Sequence, residues 1–502
     1  MKSRVYILFL LLLLVTAWFR FNSRGHNLPE GCDVFGFMHM ADAISNGRLF
    51  EEHTSRPFMP ALIEHLESQG FVYKDYAWAL APHAYHVEKQ SHKIINQYPP
   101  GTSMIMALAP RQARMSLFAL SVLLFMGLLP GLLLWLEHRN EEGFKYSLTA
   151  LAAVLCLSIL TGPMLTEFTR PNSVAPTFGL LIASGIVFRK RPVLAIFILS
   201  LSMLFRVANV LLIPPMVFYA VFKTDNLNGW FLKEWAKRGL LAFSAFIFSG
   251  FGLYLIYVYV LLGNPFLPTY SEIDQRSIGM KMLLENASYY FIENPAWLYI
   301  TLITVGLLTL LMIKKGVESR LYWLLISMPL IAYAFFLFHF IKTPYYPYAP
   351  ATLIVGYLIN ESTRIPLKYL NASRYIMVLL TIVLAVMGIR ETIPYYSTEP
   401  MGLEEQEAVY REAFTDEDVV WAELKSSTVE YATGIPGMRL QWAKAPVVLR
   451  AMTWFKNNEY KQGIMVSDLS LTPDTVRSYL RKADIDFTEE THPRLGLIFR
   501  MK

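Results

Sequence analysis

The stretch "GCDVFGFMHMADAISNGRLF" (residues 31–50) follows the first apolar run of the chain and carries an acid, Asp33, near its start. Apolar side chains recur in it at steps of three and four residues, at Val34, Phe37, Met38, Ala41 and Ile44. This period predicts a helix from Val34 to Asn46, ended by Gly47, with an apolar face that can lie in a membrane interface. Asp33 then takes the N-cap position, where such a residue stabilises a helix by about 1 kcal/mol.

The two acids of this stretch cannot act as a pair. Asp42 lies nine residues after Asp33, which turns it about half a turn away on a helix. We interpret Asp42 and its neighbour His39 as solvated or structural side chains. For Asp33 the stretch alone leaves two roles open, a helix cap and a carboxylate with chemistry at the membrane surface.

The composition is that of a polytopic membrane protein. Of the 502 residues, 54% are hydrophobic and 17% are charged, and the mean hydropathy is +0.36. Soluble domains carry about 25% charged residues. The formal charge of +6 comes largely from Lys and Arg in short loops between apolar runs, which is the positive-inside pattern and excludes a nucleic-acid partner. The two cysteines, Cys32 and Cys156, exclude a disulfide scaffold.

The apolar runs predict about eleven transmembrane helices. They cover residues 5–20, 114–136, 146–168, 174–188, 192–204, 207–222, 239–262, 296–313, 321–341, 346–360 and 373–390. Basic clusters such as Arg189-Lys190-Arg191 belong in the cytoplasm, so the segment 192–222 must enter the membrane and return. Two short helices with a tip at "LFRVAN" (204–209) meet this demand and place Arg206 near the outer face.

An odd number of spans also places the C-terminal tail outside, together with the long first loop, 21–110. In the tail, "DVVWAE", "GIMVSDLS" and "LGLIFRM" are typical of short strands. "APVVLRAMTWFKNNEYK" and "TPDTVRSYLRKAD" are typical of amphipathic helices, the second with Thr472 as N-cap and Pro473 at its first position. We therefore predict a transmembrane domain over 1–390 and a small extracytoplasmic α/β domain over 391–502.

A second local feature is "INQYPPGTSMIMALAP" (94–109), in which Tyr98-Pro99-Pro100-Gly101 predicts a rigid, extended turn. Thr102 or Ser103 is placed to cap the apolar helix that follows. Taken alone, this is a turn that leads back into the membrane.

The order of these features resembles that of the integral-membrane glycosyltransferases of the GT-C fold. Their relatives include the protein O-mannosyltransferases, the transferase that adds aminoarabinose to lipid A, and the dolichyl-phosphate-mannose-mannosyltransferase-like group. The resemblance covers residues 1–360 and concerns the order of the features and the membrane topology. Its most specific motif is "YPPGTS". It implies that Asp33 matches the family's catalytic base. The second acid of the family's Asp-Glu pair is Val34 here, which weakens the case for a metal ion at this motif.

The resemblance also implies a polyprenyl-phosphate sugar donor, whose phosphate needs cations at the outer face. The candidates are Arg170, Arg206 and Lys342, and Arg206 is favoured because an Arg between apolar stretches needs a partner. Glu167 is a candidate further acid at a substrate site. Tyr98, Tyr345 and Tyr346 are candidates for sugar contacts, although an interfacial aromatic belt is the better account of most such tyrosines.

The sequence therefore predicts a glycosyltransferase with Asp33 as general base, in a bacterial inner membrane with the site on the periplasmic side. Its partners would be the lipid-linked donor, membrane lipid and a glycan, lipid or protein acceptor. No cofactor is assigned, and a divalent metal stays open. One alternative is a lipid-linked-sugar transporter or a non-catalytic polytopic protein, which the charge-poor spans disfavour. Another is a glycan polymerase or ligase, which should have its large outer loop late in the chain.

Overall fold

A computed structural model describes most of the chain. The described residues are 32–48, 56–154 (without 142, 145–146, 149 and 152–153), 172–222, 231–266, 279–315, 319–339, 346–363, 403–440, 443–466 and 472–501. The predicted spans 5–20 and 373–390, and most of 146–168, lie outside these residues. The number of about eleven spans therefore stays a prediction.

Helices dominate the described residues up to 363. They are α1 (Cys32–Ser45), α2 (Met59–Ser68), α3 (Tyr73–Tyr76), α4 (Gly101–Ala107), α5 (Arg114–Leu123), α6 (Leu129–His138), α7 (Val174–Phe188), α8 (Pro192–Ser202), α9 (Ile213–Phe222), α10 (Phe231–Phe246), α11 (Gly252–Leu262), α12 (Met280–Ser288), α13 (Ala296–Lys315), α14 (Ser319–Leu337) and α15 (Tyr348–Ser362). Short π-helical turns join α5 to α6 and α10 to α11.

Four helical stretches among the described residues are long and apolar enough to cross a membrane. They are Leu120–His138, Glu234–Leu262, Ala296–Ile313 and Ser319–Leu337. Shorter apolar helices cover Val174–Phe188, Pro192–Ser202 and Val207–Phe222. The chain is an integral membrane protein, and the predicted spans that fall within the described residues are helical along most of their length.

The helical part is held together by close contact between α7 and α15. Every residue of α7 is buried, from Val174 to Phe188. A Cβ atom added at Gly356 of α15 would lie 2.3 Å from the carbonyl oxygen of Ile182, so glycine permits this approach of the two backbones. The predicted hairpin over 192–222 is confirmed as helices α8 and α9, joined through residues 203–206 and a 3₁₀ turn over Val207–Leu212, and Arg206 lies in that connection.

The C-terminal segment (403–501) contains a five-stranded mixed sheet with helices. In chain order its elements are α16 (Leu403–Ala413), β3 (Val419–Ala422), α17 (Ser426–Thr433), β4 (Gly437–Arg439), α18 (Ala445–Asn457), β5 (Gln462–Val466), α19 (Pro473–Lys482), β6 (Phe487–His492) and β7 (Gly496–Met501). The strand order is β4-β3-β5-β7-β6, with β3 parallel to β4 and to β5. A two-stranded antiparallel sheet in the first loop pairs β1 (Tyr85–Val87) with β2 (Ile94–Asn96).

All three predicted strands and both predicted helices of the tail are present, as β3, β5, β7, α18 and α19. The Thr472 hydroxyl accepts a bond from the Thr475 N–H at 3.3 Å, as a cap should. The strands β4 and β6 and the helices α16 and α17 were not predicted. Strand β6 is polar and mostly exposed, so it has no apolar alternation to reveal it.

The first loop and the C-terminal segment share one hydrophobic core. Phe58 and Leu62 of the first loop are buried in the same cluster as Trp421 and Phe455 of the C-terminal segment. The two parts form one layer outside the bundle of apolar helices, which for that reason we call the outer layer: the described residues of 56–96 and 403–501. The predicted boundary at residue 390 lies outside the described residues and stays a prediction.

Candidate active site

Asp33 lies in the first turn of α1, which begins at Cys32. The predicted N-cap position is therefore wrong, because the helix starts earlier than the apolar period indicates. A carboxylate in the first turn is still favourable, since the N-terminal end of a helix carries a partial positive charge. The side chain is partly exposed, while the next five residues along α1 are buried.

Tyr98 contacts the Asp33 carboxylate. Its hydroxyl donates a short hydrogen bond of 2.5 Å to Asp33 Oδ1. The Tyr98 ring also packs against Phe37, one turn along α1, with 5.1 Å between the ring centroids. A carboxylate offers about four lone-pair positions, so one such bond can fix its orientation without using its capacity to accept a proton.

The turn that carries Tyr98 is anchored at both ends. Before the two prolines, the Tyr98 N–H donates to Asn96 Oδ1 at 2.8 Å, and the Asn96 amide donates to the Gly36 carbonyl of α1 at 2.9 Å. After the prolines, α4 begins directly at Gly101. The predicted capping by Thr102 or Ser103 is wrong, because both lie inside α4; the Thr102 hydroxyl donates instead to the Asn172 carbonyl at 2.7 Å.

Gly101 joins this turn to the hairpin that carries Arg206. Its N–H donates to the Leu204 carbonyl at 2.8 Å, and a Cβ atom at this position would lie 2.7 Å from the same oxygen. Leu204 precedes Arg206 by two residues. The "YPPG" turn thus contacts α1 through Tyr98 on one side and the hairpin tip on the other.

Arg206 lies among aromatic rings at the hairpin tip. Its guanidinium carbon is 4.5 Å from the centroid of the Tyr346 ring and 5.7 Å from that of Tyr348, both within cation–π distance. A small pocket here is lined by Arg206, Asn209, Phe336 and Tyr346 among others. A guanidinium carries planar donors that can bind a phosphate bidentately, so Arg206 stays a candidate for the phosphate contact.

The structure thus brings the predicted site residues together in two pairs, Asp33 with Tyr98 and Arg206 with Tyr346. The other four predicted residues, Glu167, Arg170, Lys342 and Tyr345, lie outside the described residues and stay predictions.

The interpretation of Asp42 and His39 as structural is supported. Asp42 pairs with the buried Arg114 at 2.6 Å. Burial, and secondarily the Arg111 charge, lower the pKa of His39 from 6.5 to about 3, so this imidazole is neutral at physiological pH. Its ring packs edge-on against Tyr431, with 4.9 Å between centroids.

Two residues of this region were missed by the sequence reasoning. Arg111 donates through Nε to the Tyr431 hydroxyl at 2.7 Å and through Nη2 to Glu407 at 2.6 Å. Tyr431 is 320 positions further along the chain than Arg111, and no local pattern could have joined them.

A metal site is not supported by the side chains in the described ranges. Within these ranges no group of three or more His, Cys, Asp or Glu lies close enough together to hold a metal ion.

Comparison with known proteins identifies solved structures with a similar fold. Neither a protein-family model nor a curated protein matches the chain. Two crystal structures of ArnT from Cupriavidus metallidurans do match, over 98% of this chain and 97% of that chain. The structure bound to undecaprenyl phosphate aligns with a TM-score of 0.54 at 13% identity, and the apo structure with 0.53 at 12%.

ArnT is a lipid A aminoarabinose transferase of the GT-C fold. The GT-C fold predicted from the order of Asp33 and "YPPG" is therefore confirmed for this chain. A likeness at this level of identity concerns the fold alone.

Proposed function

We propose that this protein is a membrane glycosyltransferase that moves a sugar from a polyprenyl-phosphate donor to an acceptor hydroxyl, with Asp33 as general base. The observation that carries the proposal is the short bond from Tyr98 to Asp33 in a turn that also packs against the Arg206 hairpin. An oriented carboxylate and a cation on two sides of one turn are the parts that such a transfer needs.

The chemistry follows from these two parts. Asp33 takes the proton of the acceptor hydroxyl, and the oxygen attacks the anomeric carbon of the sugar. The bond between that carbon and the phosphate oxygen breaks, and the polyprenyl phosphate leaves with the electron pair. Arg206 neutralises the leaving phosphate by charge-assisted hydrogen bonds. A single displacement of this kind inverts the configuration at the anomeric carbon.

The ArnT structure that contains undecaprenyl phosphate supports a lipid-linked donor in this fold. For the whole protein we propose about eleven spans, a bacterial inner membrane, and a periplasmic active site beneath a C-terminal α/β domain. Glu167, Arg170, Lys342 and Tyr345 remain candidates for substrate contacts. The acceptor is a glycan, a lipid or a protein with an accessible hydroxyl.

The decisive experiment compares wild-type protein with Asp33→Asn. Each is purified and incubated with a panel of radiolabelled polyprenyl-phosphate sugars and membrane extract. Loss of the general base should lower kcat by about 100-fold or more. Thermal unfolding in the same detergent should show that the variant is folded.

Asp484→Asn is the matched control, because Asp484 is fully exposed in the C-terminal segment, and it should transfer sugar at the wild-type rate. Transfer by folded Asp33→Asn at the wild-type rate would refute Asp33 as the base. If wild type consumes none of the donors but moves them across vesicle membranes, the protein is a transporter instead.

A further inference from the structure

We infer that helix α17 of the C-terminal segment holds the catalytic helix α1 in place, with Tyr431 as the positioning residue. The inference rests on the proposed function, since it assigns a role around Asp33. By this inference the C-terminal segment contributes to catalysis by positioning α1, and it need not bind the acceptor.

Helix α17 is an interior element of the molecule. Ser426, Ser427 and Val429 are fully buried, and Glu430, Tyr431 and Ala432 are each less than 8% exposed. A helix on the free surface of a binding domain would keep one polar, solvated face. The burial of both faces of α17 indicates that it is packed between two parts of the protein.

Tyr431 makes the contact with α1. Its ring centroid is 5.4 Å from that of Phe35 and 4.9 Å from that of His39, which are one turn apart on α1. Among the described residues of the C-terminal segment, Tyr431 alone belongs to the large hydrophobic core that contains α1 and the membrane helices. It therefore connects the sheet of the outer layer to the helical part.

Arg111 fixes Tyr431 in this position. The guanidinium carbon lies 4.5 Å from the Tyr431 ring, and Nε donates to its hydroxyl at 2.7 Å. Arg111 also pairs with Glu407 of α16 at 2.6 Å, and Glu407 pairs with Arg411 at 3.3 Å. Arg111, which directly precedes the membrane helices, thus holds the tyrosine, and Glu407 of the C-terminal segment holds Arg111.

Tyr431 and Tyr98 hold opposite sides of α1. Phe35 and His39 form the side that faces Tyr431, whereas Asp33 and Phe37 contact Tyr98. Asp33 and Phe35 are two positions apart, which is about 200° around a helix. The catalytic helix is thus clamped between the "YPPG" turn and α17, and loosening either side would displace the carboxylate.

The edge of the sheet beside α17 is also covered by the chain itself. The Arg439 N–H of the edge strand β4 donates to the Ala79 carbonyl at 3.1 Å, and the His83 N–H donates to the Ser426 hydroxyl at 2.9 Å. The first loop therefore occupies this edge, where an added strand would otherwise bind. This contact favours a structural role for β4, in which it joins the C-terminal segment to the first loop, over a role in acceptor binding.

The test compares Tyr431→Ala, Tyr431→Phe and Tyr460→Ala in the full-length protein. Tyr460 is the matched control, because it packs on Phe58 and Trp454 in the outer layer and not on α1. Tyr431→Ala should lower kcat by about 10- to 100-fold, as a misplaced catalytic group does, with the KM for donor and acceptor changed less than about threefold. Tyr431→Phe keeps the ring and should restore most of the rate.

Hydrogen–deuterium exchange provides a readout that does not depend on activity. The amides of α1 should exchange faster in Tyr431→Ala than in wild type, and at the wild-type rate in Tyr460→Ala. Unchanged exchange in α1, or a raised acceptor KM at constant kcat, would overturn the inference. If wild type proves inactive with every donor, the proposed function fails while the exchange result still decides whether α17 holds α1.

Discussion

The hydroxyl of Tyr98 donates a hydrogen bond to Asp33, a contact that the residue type alone does not predict. A tyrosine near a sugar site is commonly a stacking platform, and the sequence made Tyr98 a candidate for such a substrate contact. In the folded chain its hydroxyl donates to Asp33, its ring covers Phe37, and its backbone carbonyl accepts a bond from the Tyr257 hydroxyl at 3.2 Å. These contacts suit Tyr98 to position the Asp33 carboxylate, which is the proposed general base.

Replacing Tyr98 by Phe distinguishes a role in positioning Asp33 from a role in contacting the substrate. The variant keeps the ring and loses the bond to Asp33, so we expect kcat to fall by about tenfold with little change in the KM for the donor. Tyr73→Phe is the control, because the Tyr73 hydroxyl donates to the Val87 carbonyl in the outer layer at 2.8 Å. A raised donor KM at unchanged kcat would restore the substrate-contact role.

Single residues were predictable where their own neighbours in sequence mark them. Asp33 stands at the start of an apolar period, and Arg206 stands between two apolar runs, so their own neighbours marked both as candidates. Tyr98 and Asp33 are 65 positions apart, and the sequence carries no signal that one donates to the other.

At the scale of elements, the start of α4 sets the distance between the "YPPG" turn and the α8–α9 hairpin. Gly101 makes this possible, because any side chain would meet the Leu204 carbonyl and the Phe205 ring at less than 3 Å. The two prolines before it supply a rigid approach to the helix. The first residue of α4 therefore packs against the hairpin so closely that only glycine fits there.

Gly101→Ala should therefore push α4 away from the hairpin. We expect a loss of about 1–3 kcal/mol in stability, measured as a lower Tm in detergent, and weaker donor binding as Arg206 shifts. Gly306→Ala in α13 is the control, because nothing lies within 4 Å of its added Cβ atom, and it should be neutral or slightly stabilising. An unchanged Tm in Gly101→Ala would contradict the close contact at Leu204.

At the scale of the whole molecule, a buried ion pair ties the first loop to the C-terminal segment. Arg56 pairs with Glu430 at 2.5 Å, and their side chains are only 2% and 6% exposed. Arg56 also donates to the carbonyls of Leu80 and Gly437, and Glu430 accepts from the Gly437 N–H. Glu430 adjoins Tyr431 on α17, so the pair and the clamp on α1 lie on the same helix.

Arg56→Met should destabilise the outer layer strongly, because it leaves the Glu430 carboxylate buried and without this guanidinium. The expected cost is about 3–5 kcal/mol, seen as a lower Tm. The double variant Arg56→Met with Glu430→Gln removes the buried charge and should recover part of that loss. Equal Tm values for the single variant and wild type would show that the two parts are not coupled through this pair.

The sequence by itself determined the membrane class, the helix after the first apolar run, the turn at "YPPG", the hairpin over 192–222 and most strands of the tail. These features depend on length, period and charge within consecutive residues, which a single chain displays directly. Only the tertiary structure decided that Tyr98 faces Asp33, that Gly101 packs on Leu204, and that Tyr431 holds α1. Such contacts join distant parts of the chain, and they arise from the fit of buried surfaces that no local pattern encodes.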